Sequence, residues 1–436
     1  MTTPTGPGIS SAVDGQTIEF GCRTCGRLLK VPLAAAGKQA KCPQCETVQQ
    51  VPTPPPAPPD PVIATEATEP TAPPSAPGNS PLSGFSAKPP ADGRAASLSL
   101  RGTLSEVRDS QEAGRETPTK LLFDKVLNEI SKIYVGQDEL VLGALVALFS
   151  SGHVLIESVP GLGKTLFVRT LGRVLGCEFG RIQFTADLMP SDITGAPIFD
   201  MKTQEFRFRP GPVFTQFLLA DEINRSPAKT HAALLEIMQE YRVTADGNSH
   251  TLDRPFLVLA TQNPIESEGT YNLPEAQLDR FMFKLIADYP QEHEEAEILK
   301  LHSRQEDINT RLEDELETVT SPSEIMSITQ ANASVRIDDK LLDYVNKIVR
   351  LTRRWPQFHL GASPRAGIAL VQGARTLAAF SGRDYAVPDD VVQIVLPALR
   401  HRVNLTAEAE VEGHVVDELL ADLVRSVEVP RMDEAS

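Results

Sequence analysis

At 436 residues, 41% hydrophobic and 23% charged, the chain has the composition of a soluble globular protein with room for two or three domains. A formal charge of −16 argues against nucleic acid as the main partner, because non-specific binding there needs a basic face. The N-terminal MTTPTGPGISS lacks the charged-then-apolar order of a signal peptide, and no apolar run reaches the roughly 18 residues of a membrane span, so the expected location is the cytoplasm.

Residues 17–52 carry Cys22-x-x-Cys25 and Cys42-x-x-Cys45, with 16 residues between the pairs. That spacing suits a four-thiolate zinc site, each Cys-x-x-Cys turn directing two sulfurs at one metal. So short a segment has almost no apolar core, and bound Zn²⁺ supplies its folding energy. The segment resembles the zinc ribbons: Gly26 follows the first pair and a Val-Pro ends each half, although Glu46 stands where glycine is usual. Disulfide and redox readings are the weaker ones, given the missing export signal. Cys177 reads as a small buried apolar residue. The next stretch, 53–117, reads as a disordered, semi-extended linker, with 14 prolines in the 39 residues of 52–90.

Helical periodicity begins near Thr119 with KLLFDKVLNEISKIYV and resumes in QDELVLGALVALFS, which is apolar on most faces. Between them, Val135 and Gly136 form a loop expected to touch a nucleotide base. Then comes HVLIESVPGLGKT, residues 153–165: a buried-strand run, a loop of Pro160, Gly161, Leu162 and Gly163, and Lys164-Thr165-Leu166 opening an amphipathic helix. Strand, loop, Gly-Lys-Thr and helix make a phosphate-binding loop. Its backbone N–H groups cradle phosphates, Lys164 reaches the β and γ phosphates, and the Thr165 hydroxyl ligates Mg²⁺. One position departs from the pattern, Ser158 standing for the first glycine; a positive φ there would cost a serine about 1–2 kcal/mol.

Strand-like runs then alternate with helices: FGRIQF, FLLADEIN, FLVLATQNP and FMFKLIADYP. This is the rhythm of a parallel sheet covered by helices, an α/β fold over 118–290. Two hairpins interrupt it, PIFDMKTQEFRFRPG and YRVTADGNSHTLDRPF. In the first, Phe206 and Phe208 alternate with Arg207 and Arg209; the hairpins either cover the domain surface or line a pore. From 291 to 436 the pattern is helical, an all-α lid. Asp221, at the end of its strand and 57 residues beyond Lys164, is placed to help Thr165 hold Mg²⁺, and Glu222 to act on an attacking water as general base or orienter. Asn263 sets an amide beside the same water. Arg280 follows a short helix and could reach a neighbouring subunit's γ phosphate, and Arg365 opens a lid helix.

Together ADEINRSPAKTHAALLEIMQE, LATQNPIESEGTYNLPEAQLDRF, GASPRAG and the two hairpins resemble the AAA+ ATPases, and closely the MoxR family among them. The resemblance covers roughly 117–427. It implies an αβα nucleotide domain with a helical lid, a homo-oligomeric ring of six, and ATP with Mg²⁺ at subunit boundaries. It assigns Lys164, Thr165, Asp221, Glu222 and Asn263 to act within one subunit, Arg280 as arginine finger and Arg365 as second sensor; which arginine crosses the boundary stays open. It further implies protein clients that are remodelled or activated, including proteins with von Willebrand factor A domains. A chelatase-type motor subunit, a nucleotide-dependent scaffold with little turnover, and a DNA-linked ATPase suggested by the ribbon and the Arg207/Arg209 stripe are the other readings.

Overall fold

The computed structural model describes residues 12–14, 17–22, 24–25, 27–32, 35–51, 115–245, 247–264, 271–303 and 308–431. The expected linker, 53–117, lies outside them except for 115–117. The chain divides into two compact units, Met1–Phe85 and Ser86–Ser436.

In the first unit, β1 (Ala12–Asp14), β2 (Thr17–Gly21) and β3 (Leu28–Pro32) form an antiparallel sheet, and β4 (Gln39–Lys41) pairs with β5 (Val48–Gln50). Among the residues whose burial is described, its apolar core is Leu29, Val51 and two of the cysteines, Cys22 and Cys42.

The second unit opens with α1 (Pro118–Ile130), where the Thr117 side chain accepts from Lys120 N and Pro118 takes a first-turn position that needs no N–H donor. Phe123 on its inner face stacks on Phe380 at 4.1 Å. Helix α2 (Asp138–Phe149) is buried on nearly every side, as its uniform apolarity requires. Five strands follow: β6 (Val154–Ser158), β7 (Phe179–Gln183), β10 (Phe217–Asp221), β13 (Leu257–Gln262) and β14 (Phe283–Ala287). They make one parallel sheet in the order β14-β6-β13-β10-β7. Successive side chains alternate between its two faces. Val154, Ile156, Phe217, Leu219, Leu257 and Leu259 enter the core shared with α1, α2, α3 (Lys164–Leu175) and the lid. Leu155, Leu218, Ala220, Val258 and Ala260 enter a second core under α4 (Ala228–Glu240). Burial on both faces explains why these strands read as continuous apolar runs.

The two insertions are hairpins: β8 (Gly195–Asp200) with β9 (Glu205–Pro210), and β11 (Arg242–Ala245) with β12 (Asn248–Thr251). Phe208 of one stacks on His250 of the other, ring centroids 4.0 Å apart. A short α5 (Glu275–Leu278) precedes β14, and α6 (Glu292–His302) follows it. The helical lid includes α7 (Asp339–Thr352), α8 (Pro364–Phe380), α9 (Pro388–Leu399) and α10 (Val416–Ser426). It also contains one feature its helical periodicity does not announce: β15 (Phe358–Leu360) pairs antiparallel with β16 (Asn404–Leu405). Strands of three and two residues are too short to show an alternation.

Candidate active site

The site forms at the C-terminal ends of the parallel strands, where β6 and β13 lie side by side and the strand order reverses. Beyond β6 the loop turns through Gly161 at φ 88 and Gly163 at φ 71, the latter capping α3 from the left-handed region. A Cβ at Gly161 would meet nothing within 4 Å, so backbone conformation, not crowding, calls for glycine there. Ser158 is the last residue of β6, paired with Ala287 in ordinary strand geometry. The strain weighed for a positive φ at that position does not arise. Lys164 is half-buried, and its Nζ donates to Ser158 Oγ at 2.7 Å. Burial pulls the ammonium below its ordinary pKa, while the charges of Asp221 and Glu222 oppose that shift.

Asp221 ends β10 and Glu222 follows it in the left-handed conformation, φ 56. A non-glycine residue there costs on the order of 1–3 kcal/mol and persists where its surroundings hold it. Thr261, fully buried on β13, does much of the holding: its hydroxyl donates to Asp221 Oδ1 at 2.6 Å and accepts the Glu222 N–H at 2.9 Å. From the adjacent edge strand, Arg181 donates to Asp221 Oδ2 at 2.7 Å and Gln183 donates to Glu222 Oε2 at 2.8 Å. Arg225 reaches the same Glu222 oxygen at 3.0 Å. The guanidinium of Arg181 thus balances the charge of Asp221, a carboxylate with both oxygens engaged. Asn263 lies just past the end of β13, almost buried. Thr165 sits in the first turn of α3 beside Lys164.

Next to the loop is a cavity of about 390 Å³ lined by Val135, Pro160, Gly161, Leu162, Gly163 and Leu166 from the expected set. Gly136, φ 74, stands beside it with its Cα turned toward the Glu294 carboxyl. The cavity is completed by residues that periodicity alone does not mark: Tyr134 and Gln137 before α2, and Tyr289, Ile298 and Leu299 around α6. An apolar slot of that size beside a phosphate cradle accepts a planar base. Arg181, Gln183 and Thr261 also escape a reading of the sequence for motifs. The only local signal is polar side chains at alternate positions of FGRIQF and a threonine within ATQNP.

The two arginines do not join this cluster. Arg280 folds back on its own subunit, Nη1 donating to the Leu235 carbonyl of α4 at 2.8 Å, with its Nε buried and unpaired. Arg365, its side chain 51% exposed, lies 3.9 Å from Asp279. Asp279 is a junction between core and lid: it accepts from Ser363 Oγ at 2.9 Å and from buried Arg402 Nε at 2.8 Å. Arg402 also donates to the main-chain carbonyls of Phe281 and Met282, so the lid grips the very turn that carries Arg280.

In the first unit the four cysteine sulfurs converge. Cys22 and Cys45 Sγ are 3.4 Å apart, Cys25 and Cys42 Sγ 3.7 Å, and all four lie within 4.8 Å of one another without disulfides. A tetrahedral zinc with bonds of about 2.3 Å would hold sulfurs about 3.8 Å apart. Hydrogen bonding with Thr47, first its side chain and then its main chain, draws the Cys45 thiol down to about 6, toward the thiolate that a metal needs.

A phosphate loop facing paired carboxylates, under a helical lid, is the equipment of the AAA class of ATPases. Residues 153–283 match the family described as "ATPase family associated with various cellular activities (AAA)", and residues 350–423 match the AAA lid domain. The uncharacterized protein YeaC of Bacillus subtilis is 45% identical over 309 residues, 71% of this chain and 95% of YeaC. Chaperone MoxR1 of Mycobacterium tuberculosis is 42% identical over 320 residues, 71% of this chain and 83% of MoxR1. The crystal structure of a protein provisionally described as an ATPase, from Cytophaga hutchinsonii, superimposes with a TM-score of 0.67 at 37% identity, covering 76% of this chain and all of that one. The chain belongs to the MoxR family of AAA+ ATPases. It is an enzyme that hydrolyses ATP.

Proposed function

We propose that the chain works as a MoxR-type chaperone motor: a ring of six subunits that hydrolyses ATP at subunit boundaries and uses it to remodel or activate client proteins, among them proteins with von Willebrand factor A domains. The observation that carries the reading is the pair Asp221 and Glu222, bound to Thr261 and electrically coupled to Lys164 across the strand ends. In this reading 118–290 is the motor core, 291–436 the lid, and 17–52 a ribbon on a tether, at work in the cytoplasm. Among the described residues no helix is long and apolar enough to cross a membrane.

ATP lies with its base in the cavity by Val135 and its phosphates on the loop 160–163. Lys164 holds the β and γ oxygens. Thr165 and Asp221 hold Mg²⁺, which neutralises phosphate charge when bound. Glu222 takes the proton of the attacking water, and Asn263 orients that water beside the γ phosphate. Arg280 and Arg365 supply positive charge for the transition state, one of them from a neighbouring subunit. The four cysteines hold a structural Zn²⁺. The first hairpin offers a gripping surface for clients: Ile198, Phe199, Met201 and Phe206 are all exposed, Met201 at 83%.

The test is ATP turnover per subunit against protein concentration for the wild type, Arg280→Ala and Glu222→Gln. The expectation is a rise with concentration that Arg280→Ala removes, and turnover lowered about 10²–10⁴-fold in Glu222→Gln with ATP still bound. Turnover independent of concentration and of Arg280, or equal in wild type and Glu222→Gln, refutes the reading.

A further inference from the structure

The phosphate-loop pattern begins with glycine, and this chain has Ser158 there. The serine is 3% exposed, and its hydroxyl oxygen accepts from Lys164 Nζ at 2.7 Å, a contact no glycine can make. The backbone at 158 is ordinary strand, so the side chain carries no conformational cost. The other acceptors that could capture the ammonium are already engaged. Asp221 is held by Arg181 and Thr261, and Glu222 by Gln183 and Arg225. The hydrogen bond of Lys164 therefore goes to a neutral group, while the charges of Asp221 and Glu222 act on it through space. An ammonium has three N–H donors, so one bond to Ser158 leaves two for phosphate oxygens.

We propose that Ser158 is a positioning residue for ATP hydrolysis in this chain: its hydroxyl aims the Lys164 ammonium across the loop before nucleotide arrives and keeps one of its donors while the other two engage the β and γ phosphates. The inference rests on the assignment of Lys164 to the phosphates. Its energetic origin is preorganisation. Without the hydroxyl, a flexible four-carbon side chain must be ordered by the nucleotide itself.

The experiment uses the full chain and measures KM and kcat for ATP, together with the melting temperature, in wild type, Ser158→Ala, Ser158→Thr and Lys164→Ala. Ser158→Ala is expected to raise KM about fivefold with kcat changed less than about twofold, the scale of one hydrogen bond to a charged group partly expressed in binding. Ser158→Thr, which keeps the hydroxyl, is expected to stay within about twofold of the wild-type KM. An unchanged KM in Ser158→Ala overturns the proposal. So does a lowered one, because the bond would then oppose ATP, and so does a loss confined to kcat. Failure of Ser158→Thr to hold KM at an unchanged melting temperature overturns it as well. Lys164→Ala separates the two levels. If that variant still binds ATP normally, the assignment of Lys164 falls; if it loses ATP while Ser158→Ala equals wild type, only the role of Ser158 falls.

Discussion

Replacing Arg402 with methionine tests whether the lid and the turn bearing Arg280 act as one piece. The Arg402 side chain is 3% exposed. It donates to Asp279 Oδ1 at 2.8 Å and to the carbonyls of Asp279 at 3.1 Å, Phe281 at 2.6 Å and Met282 at 3.0 Å, with a further bond to Ala398 O. Methionine keeps the length and loses every donor. Breaking a buried ion pair from one side costs about 3–5 kcal/mol. The lower end applies here, because Asp279 keeps Ser363 Oγ at 2.9 Å and Phe281 O keeps His401 Nε2 at 3.0 Å. A loss of about 3 kcal/mol lowers the melting temperature by roughly 4–5 °C in a unit of this size, because the unfolding entropy grows with chain length. Calorimetry of nucleotide-free protein at one fixed concentration measures it, since both ligand and assembly shift the midpoint. Arg365→Met is the control: it lies 3.9 Å from the same carboxylate but is half exposed, so stability should hardly change. A drop under about 2 °C for Arg402→Met, or equal drops for the two variants, would refute the reasoning.

Two further outcomes follow from other parts of the molecule. His153 is fully buried, its Nδ1 accepting the Val258 N–H at 3.1 Å and its Nε2 facing Met238 O at 3.0 Å, so it is neutral with the proton on Nε2. Burial depresses its pKa from 6.5 to about 4. The unfolded chain then binds the extra proton between those values, so stability is complete above 6.5 and falls as the pH drops toward 4, by about 3 kcal/mol from this residue. A urea series across that window should show the slope, and His153→Gln should flatten it; an unchanged slope in that variant defeats the assignment. In the first unit, the proposed four-thiolate site predicts that wild type carries zinc and Cys42→Ser does not, read by metal analysis of the purified full chain, while ATP turnover stays at the wild-type value. Zinc retained at full occupancy would count against the four-thiolate site, and collapsed turnover against the independence of the ribbon.

What could be read from the chain alone is what depends on residues close together in it. The phosphate loop is 13 residues of continuous sequence, and its chemistry follows from the order strand, glycines, lysine, threonine. The two Cys-x-x-Cys turns each bring their own pair of thiols together. The runs VLI, FLLA and LVLA announce strands buried on both faces because no polar residue interrupts them. Asp221 and Glu222 were visible for the same reason, as the charged end of an apolar run.

The tertiary structure alone decided who meets whom across the sheet. Arg181 and Gln183 reach Asp221 and Glu222 because β7 and β10 are neighbours, and Thr261 lies beneath both because β13 is next to β10 on its other side. A strand's neighbours are set by its crossover connections, which leave no periodic trace in the strand itself. The same holds for Arg280, turned onto Leu235 of its own α4, and for Arg402, gripping Asp279 from 123 residues away. Ser158 shows both limits at once. In the sequence it is only a departure from a pattern. In the fold, the turn of the loop brings Lys164 back over the end of β6, and the departure becomes a hydrogen bond.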